Sequence, residues 1–138
     1  MNYLGRNDFQ RTHLLASDEF VGKPKIIKTG KSSEVILNVN KKMVVDKRGL
    51  VHGGFTFNLA DYASMIAVNH PNVVLLTSTV RFLKPVVYKD KLIAKARIIE
   101  TEKNKNKVLC EVFNQKNERV FEGEFNCISL SQHVLENK

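Results

Sequence analysis

The sequence has few residues that could build a metal centre or a disulfide framework. Its two cysteines, Cys110 and Cys127, fall inside predicted strands and show no C-x-x-C spacing. The four histidines are scattered and form no HExxH or comparable pair. We therefore predict two reduced, buried thiols in a cytoplasmic protein, and no metal site.

Signals for export, membrane insertion and nucleic-acid recognition are also lacking. The first 13 residues contain no apolar segment typical of a secretory signal. No apolar run gives a clear membrane span of roughly 18 charge-poor residues; residues 53–68 come closest but include Asn58 and Asp61. No helix-turn-helix, RNP or zinc-finger pattern accompanies the net charge of +8. We predict no nucleic-acid partner and no membrane insertion, which leaves a polyanionic small molecule or a solvated surface to explain the charge.

What is present is typical of one globular domain. The chain has 138 residues, of which 43% are hydrophobic and 26% charged, enough for one core. It shows no internal repeat and no low-complexity linker. We predict an N-terminal extension over residues 1–22, a folded domain over 23–130 and a polar tail over 131–138.

The stretch from Gly49 to Pro71 organises the predicted fold. It opens with Gly53 and Gly54, continues as about 16 mostly apolar residues and stops at residues 69–71. Such a run predicts a helix without a wet face, wrapped by the rest of the domain. The carboxylate of Asp61 is costly on this helix unless a partner or a reaction uses it.

Alternating and β-branched residues predict strands on both sides of this helix. The predicted strands cover residues 25–28, 34–40, 73–83, 92–100, 108–114 and 119–130, and a short helix is expected near residues 9–16. The run from residue 73 is too long and apolar for an edge strand, and the strands from there on are expected to be joined by hairpin turns. This order indicates an α+β fold, in which a curled antiparallel sheet wraps one helix. The remaining sheet edge predicts a homodimer, with a tetramer as the alternative.

The element order and the helix motif resemble the hotdog fold, with a sheet of five to six strands. More narrowly, they resemble the HGG-type acyl-CoA thioesterases, which include the PaaI-like phenylacetyl-CoA thioesterases. The match runs over roughly residues 30–130 and rests on Gly49, His52-Gly53-Gly54, Leu59–Ala63, Val80–Pro85 and Asp90–Leu92. The second half is also similar to the ligand-binding domain of FapR, a bacterial regulator whose hotdog domain binds malonyl-CoA and does no chemistry.

Thioester hydrolysis needs a carboxylate, oxyanion donors and a groove for the ligand. We predict that Asp61 is the base or nucleophile, with a pKa raised by burial. The backbone amides of Gly53 and Gly54, at a helix N-terminus, are the expected oxyanion donors. The structural alternative for Asp61 is a buried carboxylate whose hydrogen bonds are satisfied by the protein. The alternative for Gly53 and Gly54 is a tight turn with no room for a side chain.

Five further side chains and one hairpin are candidates for the site. His52 is expected to position the loop or the thioester, and Asn58, one helical turn before Asp61, to orient the water or bind the acyl carbonyl. Arg81 and Lys84 are expected to hold CoA phosphates, and Thr79 to line the pocket, while the lysine-rich hairpin at residues 103–107 is a weaker candidate for the phosphates.

Two functions therefore stay open. One is hydrolysis of an acyl-CoA thioester, and the other is acyl-CoA binding or sensing without catalysis. Either way the expected ligand is an acyl-CoA, and no cofactor is expected beyond coenzyme A as part of that ligand.

Overall fold

The computed structural model describes residues 7–137 and shows one six-stranded sheet around one long helix. There are two α-helices, α1 (Asp18–Val21) and α2 (Gly53–Val68), and two 3-10 helices, Lys41–Met43 before α2 and Val134–Asn137 after the last strand. The strands are β1 (Lys23–Lys28), β2 (Ser32–Asn38), β3 (Val73–Phe82), β4 (Lys91–Glu102), β5 (Lys105–Phe113) and β6 (Arg119–Ser129). The α+β class and the helix bounds are as predicted, whereas the short helix expected near residues 9–16 begins later, at Asp18.

All neighbouring strands pair antiparallel, in the order β1-β2-β4-β5-β6-β3. Hairpins join β4 to β5 and β5 to β6, but β3 pairs with β6 and reaches β4 by a crossover. The prediction that residues 73–83 cannot be an edge strand is therefore wrong for the single chain. Of the β-branched residues in β3 only Val73 is buried, and such residues favour a strand without indicating how many strands flank it.

Helix α2 lies on the concave face of the sheet and contacts all six strands. Its buried residues, with inward residues of the strands, form the core; the largest fully buried side chains include Phe121, Phe125, Leu37 and Met65. The Ser33 hydroxyl donates to the Ala63 carbonyl at 2.6 Å, which ties β2 to the middle of the helix. In the described part of the chain, no helix is long and apolar enough to cross a membrane.

A segment that we call the N-terminal strap, residues 8–17, runs along the C-terminal half of α2. The Asn69 amide donates to the Phe9 carbonyl at 2.8 Å, and the Gln10 amide donates to the Tyr62 hydroxyl at 3.0 Å. Thr12, in the middle of the strap, is buried against the domain. The predicted extension is thus packed on the domain from residue 7 onward; its residues 1–6, and residue 138 of the predicted tail, lie outside the described residues.

Candidate active site

The N-terminus of α2 is capped by a histidine side chain. His52 is the N-cap residue, and its Nδ1 accepts a hydrogen bond from the Gly54 N–H at 2.8 Å. This bond places the proton of neutral His52 on Nε2, at the exposed side of the ring. A Cβ on Gly54 would lie only 2.8 Å from Nδ1, so a glycine is needed beneath the imidazole.

Gly53, one residue earlier, differs from Gly54 in that the cap does not engage its backbone amide. Within the described residues its N–H makes no hydrogen bond, as expected for the first residue of a helix. A Cβ there would approach the Phe82 ring at 3.1 Å, so this glycine lets the ring lie over the helix start. The prediction named both glycine amides; the structure leaves that of Gly53 unpaired and engages that of Gly54 with His52.

Removing the cap tests its contribution to folding. His52→Ala leaves the Gly54 N–H without its acceptor and is expected to lower the free energy of unfolding by about 1 kcal/mol. His52→Asn is the matched control, because asparagine is a strong N-cap residue and should recover most of the loss. Urea unfolding of the three proteins measures this; equal destabilisation by both substitutions would contradict a capping role.

Asp61 is a largely buried carboxylate whose Oδ1 has no hydrogen-bond partner among the described residues. Burial raises its pKa from 3.8 to about 6, as predicted from the sequence. The charge of Asp61 adds to burial in raising the pKa values of Cys110 and Cys127, whose thiols remain protonated and unreactive. In the single chain, the fold itself therefore leaves this carboxylate oxygen unsatisfied.

The face of α2 that carries Asp61 is only half covered. Gly54, Asn58 and Asp61 follow one another at helical spacing, and Asn58 is exposed; we call these three residues the open stripe. Farther along the same face Met65 and Asn69 are buried, where the strap crosses. The prediction of a helix without a wet face is therefore wrong for its N-terminal half.

A pocket of about 310 Å³ opens beside the helix start. Its walls are Val51, Gly53, Thr56, Phe82, Leu83, Lys84, Pro85, Val86 and Val120, and we call it the helix-start pocket. Most of these residues are apolar, with Thr56 at the base and Lys84 at the exposed rim. The Lys84 ammonium also contacts the Glu118 carboxylate at 2.9 Å.

The other predicted CoA contacts lie elsewhere. Thr79 and Arg81 face away from α2, in a groove on the outer face of the sheet, and Arg81 lies 3.7 Å from the Glu122 carboxylate. Because side chains alternate along β3, Val80 between them points into the core. One chain thus brings Lys84 to the helix start but neither Thr79 nor Arg81. The lysine-rich hairpin lies beside Ser129, about 30 Å along β6 from Val120.

Two residues at the pocket could not be identified from the sequence. Phe82 is a hydrophobic residue of a predicted strand, which is typical of core, yet it is 57% exposed and its ring lies over Gly53. Thr56 carries no sequence signal, because a threonine inside an apolar helix resembles any other core residue. Only the packing of α2 against the end of β3 brings the two to one pocket. In the described part of the chain, no three His, Cys, Asp or Glu side chains cluster as metal ligands would.

Comparison with known proteins identifies relatives of this chain. It is 52% identical over 120 residues to a methylthioribose-1-phosphate isomerase of Aquifex aeolicus, a match that covers 87% of this chain but 26% of that protein. It is 23% identical over 135 residues to the transcription factor FapR of a Thermoanaerobacter species, covering 98% of this chain and 67% of FapR. The chain thus spans about a quarter of the first relative and two thirds of the second.

Solved structures give the same architecture. An uncharacterized protein, PH1136, from Pyrococcus horikoshii superposes with a TM-score of 0.90 at 53% identity, over 94% of this chain and 98% of that one. Escherichia coli PaaI superposes at 0.78 with 23% identity, over 88% of each chain. A Streptococcus mutans protein solved with acetyl CoA superposes at 0.76 with 21% identity, over 92% of this chain and 99% of that one. At these identities the last two likenesses show the hotdog fold alone.

The sequence itself carries the family assignment. The family model described as thioesterase superfamily matches residues 48–121, which is more than half of the chain and includes the helix cap, the open stripe and β3. With its six-stranded sheet wrapped around α2, the chain is a hotdog-fold member of the thioesterase superfamily.

Proposed function

We propose that this protein hydrolyses an acyl-CoA thioester with Asp61 as the general base. The observation that carries the proposal is the Asp61 Oδ1 atom, which is buried without a hydrogen-bond partner in the described residues. A carboxylate with a pKa near 6 is ionised at neutral pH yet basic enough to accept a proton from water. Membership of the thioesterase superfamily supports the same reaction class.

The reaction balances with these groups alone. Asp61 accepts a proton from a water molecule as the water oxygen attacks the thioester carbonyl carbon. The Gly53 N–H and the positive end of α2 stabilise the oxyanion that forms. The C–S bond then breaks, the sulfur takes up the proton, and a carboxylic acid and the free thiol of coenzyme A leave. His52 holds the loop, and its Nε2–H is the proposed donor to the bound ester.

One chain does not complete this arrangement. Gly53 and Asp61 are eight residues apart, about 12 Å along the helix axis, whereas a carbonyl must lie within about 3 Å of both the donor and the water. Two antiparallel α2 helices that meet at their open stripes would set Gly53 of one chain level with Asp61 of a second copy. The two-fold axis would then pass at the level of residue 57, midway between them and next to Asn58. We therefore propose a homodimer with two shared sites.

The two edges of the sheet support this assembly. Along β1, Pro24 and a bulge interrupt the edge, and Asn7 and Asp8 bond to both backbone groups of Ile27. The β3 edge is ten residues long and carries neither proline nor lysine; it has one bulge and one charged residue, Arg81. The regular stretch beyond the bulge is suited to pairing with a second copy of itself.

The proposal predicts how hydrolysis depends on pH. Because the base must be ionised, kcat/KM should fall about tenfold per pH unit below about 6 and level off above it. A thiol-release assay over short, long and aryl CoA esters between pH 4.5 and 8 measures this. A profile without any inflection near pH 6, for a rate limited by chemistry, would contradict the role of Asp61.

Acyl-CoA binding without catalysis is the second candidate. The similarity to FapR over 98% of the chain favours it, as does the exposed amide of Asn58 on the open stripe. A CoA ester that stays bound and intact for hours would support sensing and overturn hydrolysis. Isomerase activity is not proposed, because the chain matches only 26% of the Aquifex protein.

A further inference from the structure

We propose that the helix-start pocket receives the acyl group and selects compact acyl groups that carry a hydroxyl or oxo oxygen. Thr56 would recognise that oxygen, and Phe82 would limit the size of the group. The inference rests on the proposed function, because it takes the thioester carbonyl to lie at the Gly53 N–H. Gly53 forms part of the pocket wall, so an ester bound there has its acyl group directed inward.

The hydroxyl of Thr56 is the first argument. The residue is 2% exposed, lines the pocket, and makes no hydrogen bond within the described residues. Another helix hydroxyl, that of Ser64, bonds to the carbonyl four residues earlier at 2.8 Å, whereas the equivalent carbonyl for Thr56, that of His52, accepts the Phe55 N–H and not the Thr56 hydroxyl. Its hydroxyl is therefore free for a ligand or for water in the pocket.

A pure hydrocarbon group would leave that hydroxyl unpaired. Filling the pocket with an alkyl chain would expel any water that bonds to Thr56, and the lost hydrogen bond would offset part of the gain from apolar burial. A hydroxyl or oxo oxygen on the acyl group restores the bond while the remaining carbons contact Val51, Val86 and Val120. Such a site discriminates best against the analogue that lacks the oxygen.

The size of the pocket is the second argument. Its volume of about 310 Å³ is at the lower end of the range for small-molecule sites. The Phe82 ring forms one wall, held edge-to-face against Phe121 with ring centroids 5.2 Å apart. Because it also lies against Gly53, it stands between the pocket and solvent, where a long chain would have to pass.

Binding of non-hydrolysable analogues tests the inference separately from hydrolysis. We would compare butyryl-CoA and 3-hydroxybutyryl-CoA analogues in which a methylene group separates the sulfur from the carbonyl. Calorimetry on the wild type should give about tenfold tighter binding of the hydroxylated analogue, the effect of one hydrogen bond in a desolvated site. Thr56→Val keeps the shape of the side chain without the hydroxyl, and should bring the ratio of the two affinities close to one.

Two controls complete the test. Thr56→Ser should keep the preference, and Thr101→Val, on the remote β4–β5 hairpin, should not change it. Phe82→Ala should allow a decanoyl analogue to bind at least tenfold more tightly than it binds the wild type. A wild type without preference, or an unchanged ratio in Thr56→Val, would overturn the inference. A clear preference without hydrolysis of the true thioesters would uphold the pocket and overturn only the proposed enzyme activity.

Discussion

Asp61→Asn is expected to lower kcat/KM for acyl-CoA hydrolysis by about 10²–10⁴-fold, the usual contribution of a general base. The asparagine amide has the shape of the carboxylate but cannot accept a proton from water at neutral pH. Binding of the ester should persist, because the Gly53 N–H and the helix-start pocket are unchanged. A thiol-release assay beside calorimetry separates the two effects.

The same substitution should not cost stability. The folded-state pKa of Asp61 is raised from 3.8 to about 6, so the wild type loses stability as the pH rises from about 4 through 6. That loss amounts to up to about 3 kcal/mol and is absent from Asp61→Asn. The free energy of unfolding, measured at one protein concentration, should therefore rise for the variant relative to the wild type between pH 4.5 and 8.

Asp18→Asn, on the exposed surface of α1, is the matched control and should leave hydrolysis unchanged. Full hydrolysis by Asp61→Asn would exclude Asp61 as the base. A variant that loses both hydrolysis and stability at pH 8 would show instead that the carboxylate holds the fold.

Two inactive chains are expected to restore one working site when they are combined. Gly53→Pro removes the proposed oxyanion donor, and proline is tolerated at the first position of a helix. In a heterodimer of Gly53→Pro with Asp61→Asn, one site keeps Gly53 from the second chain and Asp61 from the first. With two differently tagged chains, the purified heterodimer should show about half of the wild-type activity, since one of two sites is intact.

Gly53→Ala is the matched control for the bulk of proline. It adds the Cβ that approaches Phe82 but keeps the N–H, so its homodimer should be at least tenfold more active than that of Gly53→Pro. A heterodimer as inactive as its parents, formed from chains that both fold and pair, would show that Gly53 of one chain does not act together with Asp61 of the other.

Much of the fold could be predicted from local pattern. The Gly53–Val68 helix, the antiparallel sheet and the raised pKa of Asp61 all follow from apolar periodicity and from the cost of burying a charge. The edge position of β3 could not be predicted, because strand order depends on contacts between distant residues. The apolar residues of β3 cover one face of the strand, and an edge strand that packs on a helix needs such residues as much as a central strand does.

The site was harder to predict in detail. Arg81 and Lys84 are close in sequence, but β3 ends at Phe82, so only the residue beyond the strand turns towards the helix start. The histidine cap was hidden because capping rules favour serine, threonine, aspartate and asparagine. The exposure of Phe82 could not be predicted either, because a hydrophobic side chain is typical of core. Only its position at the end of β3 leaves it half exposed to solvent.

The N-terminal strap has a consequence for how two copies could meet. It is fixed to Tyr62 and Asn69, so it covers the second half of the helix face and leaves about two turns free. Two helices paired face to face could slide along each other by a turn if that whole face were bare. The strap would act as a stop at each end and allow a single alignment. A segment outside the sheet would thereby set the spacing of the two groups that we propose to be catalytic.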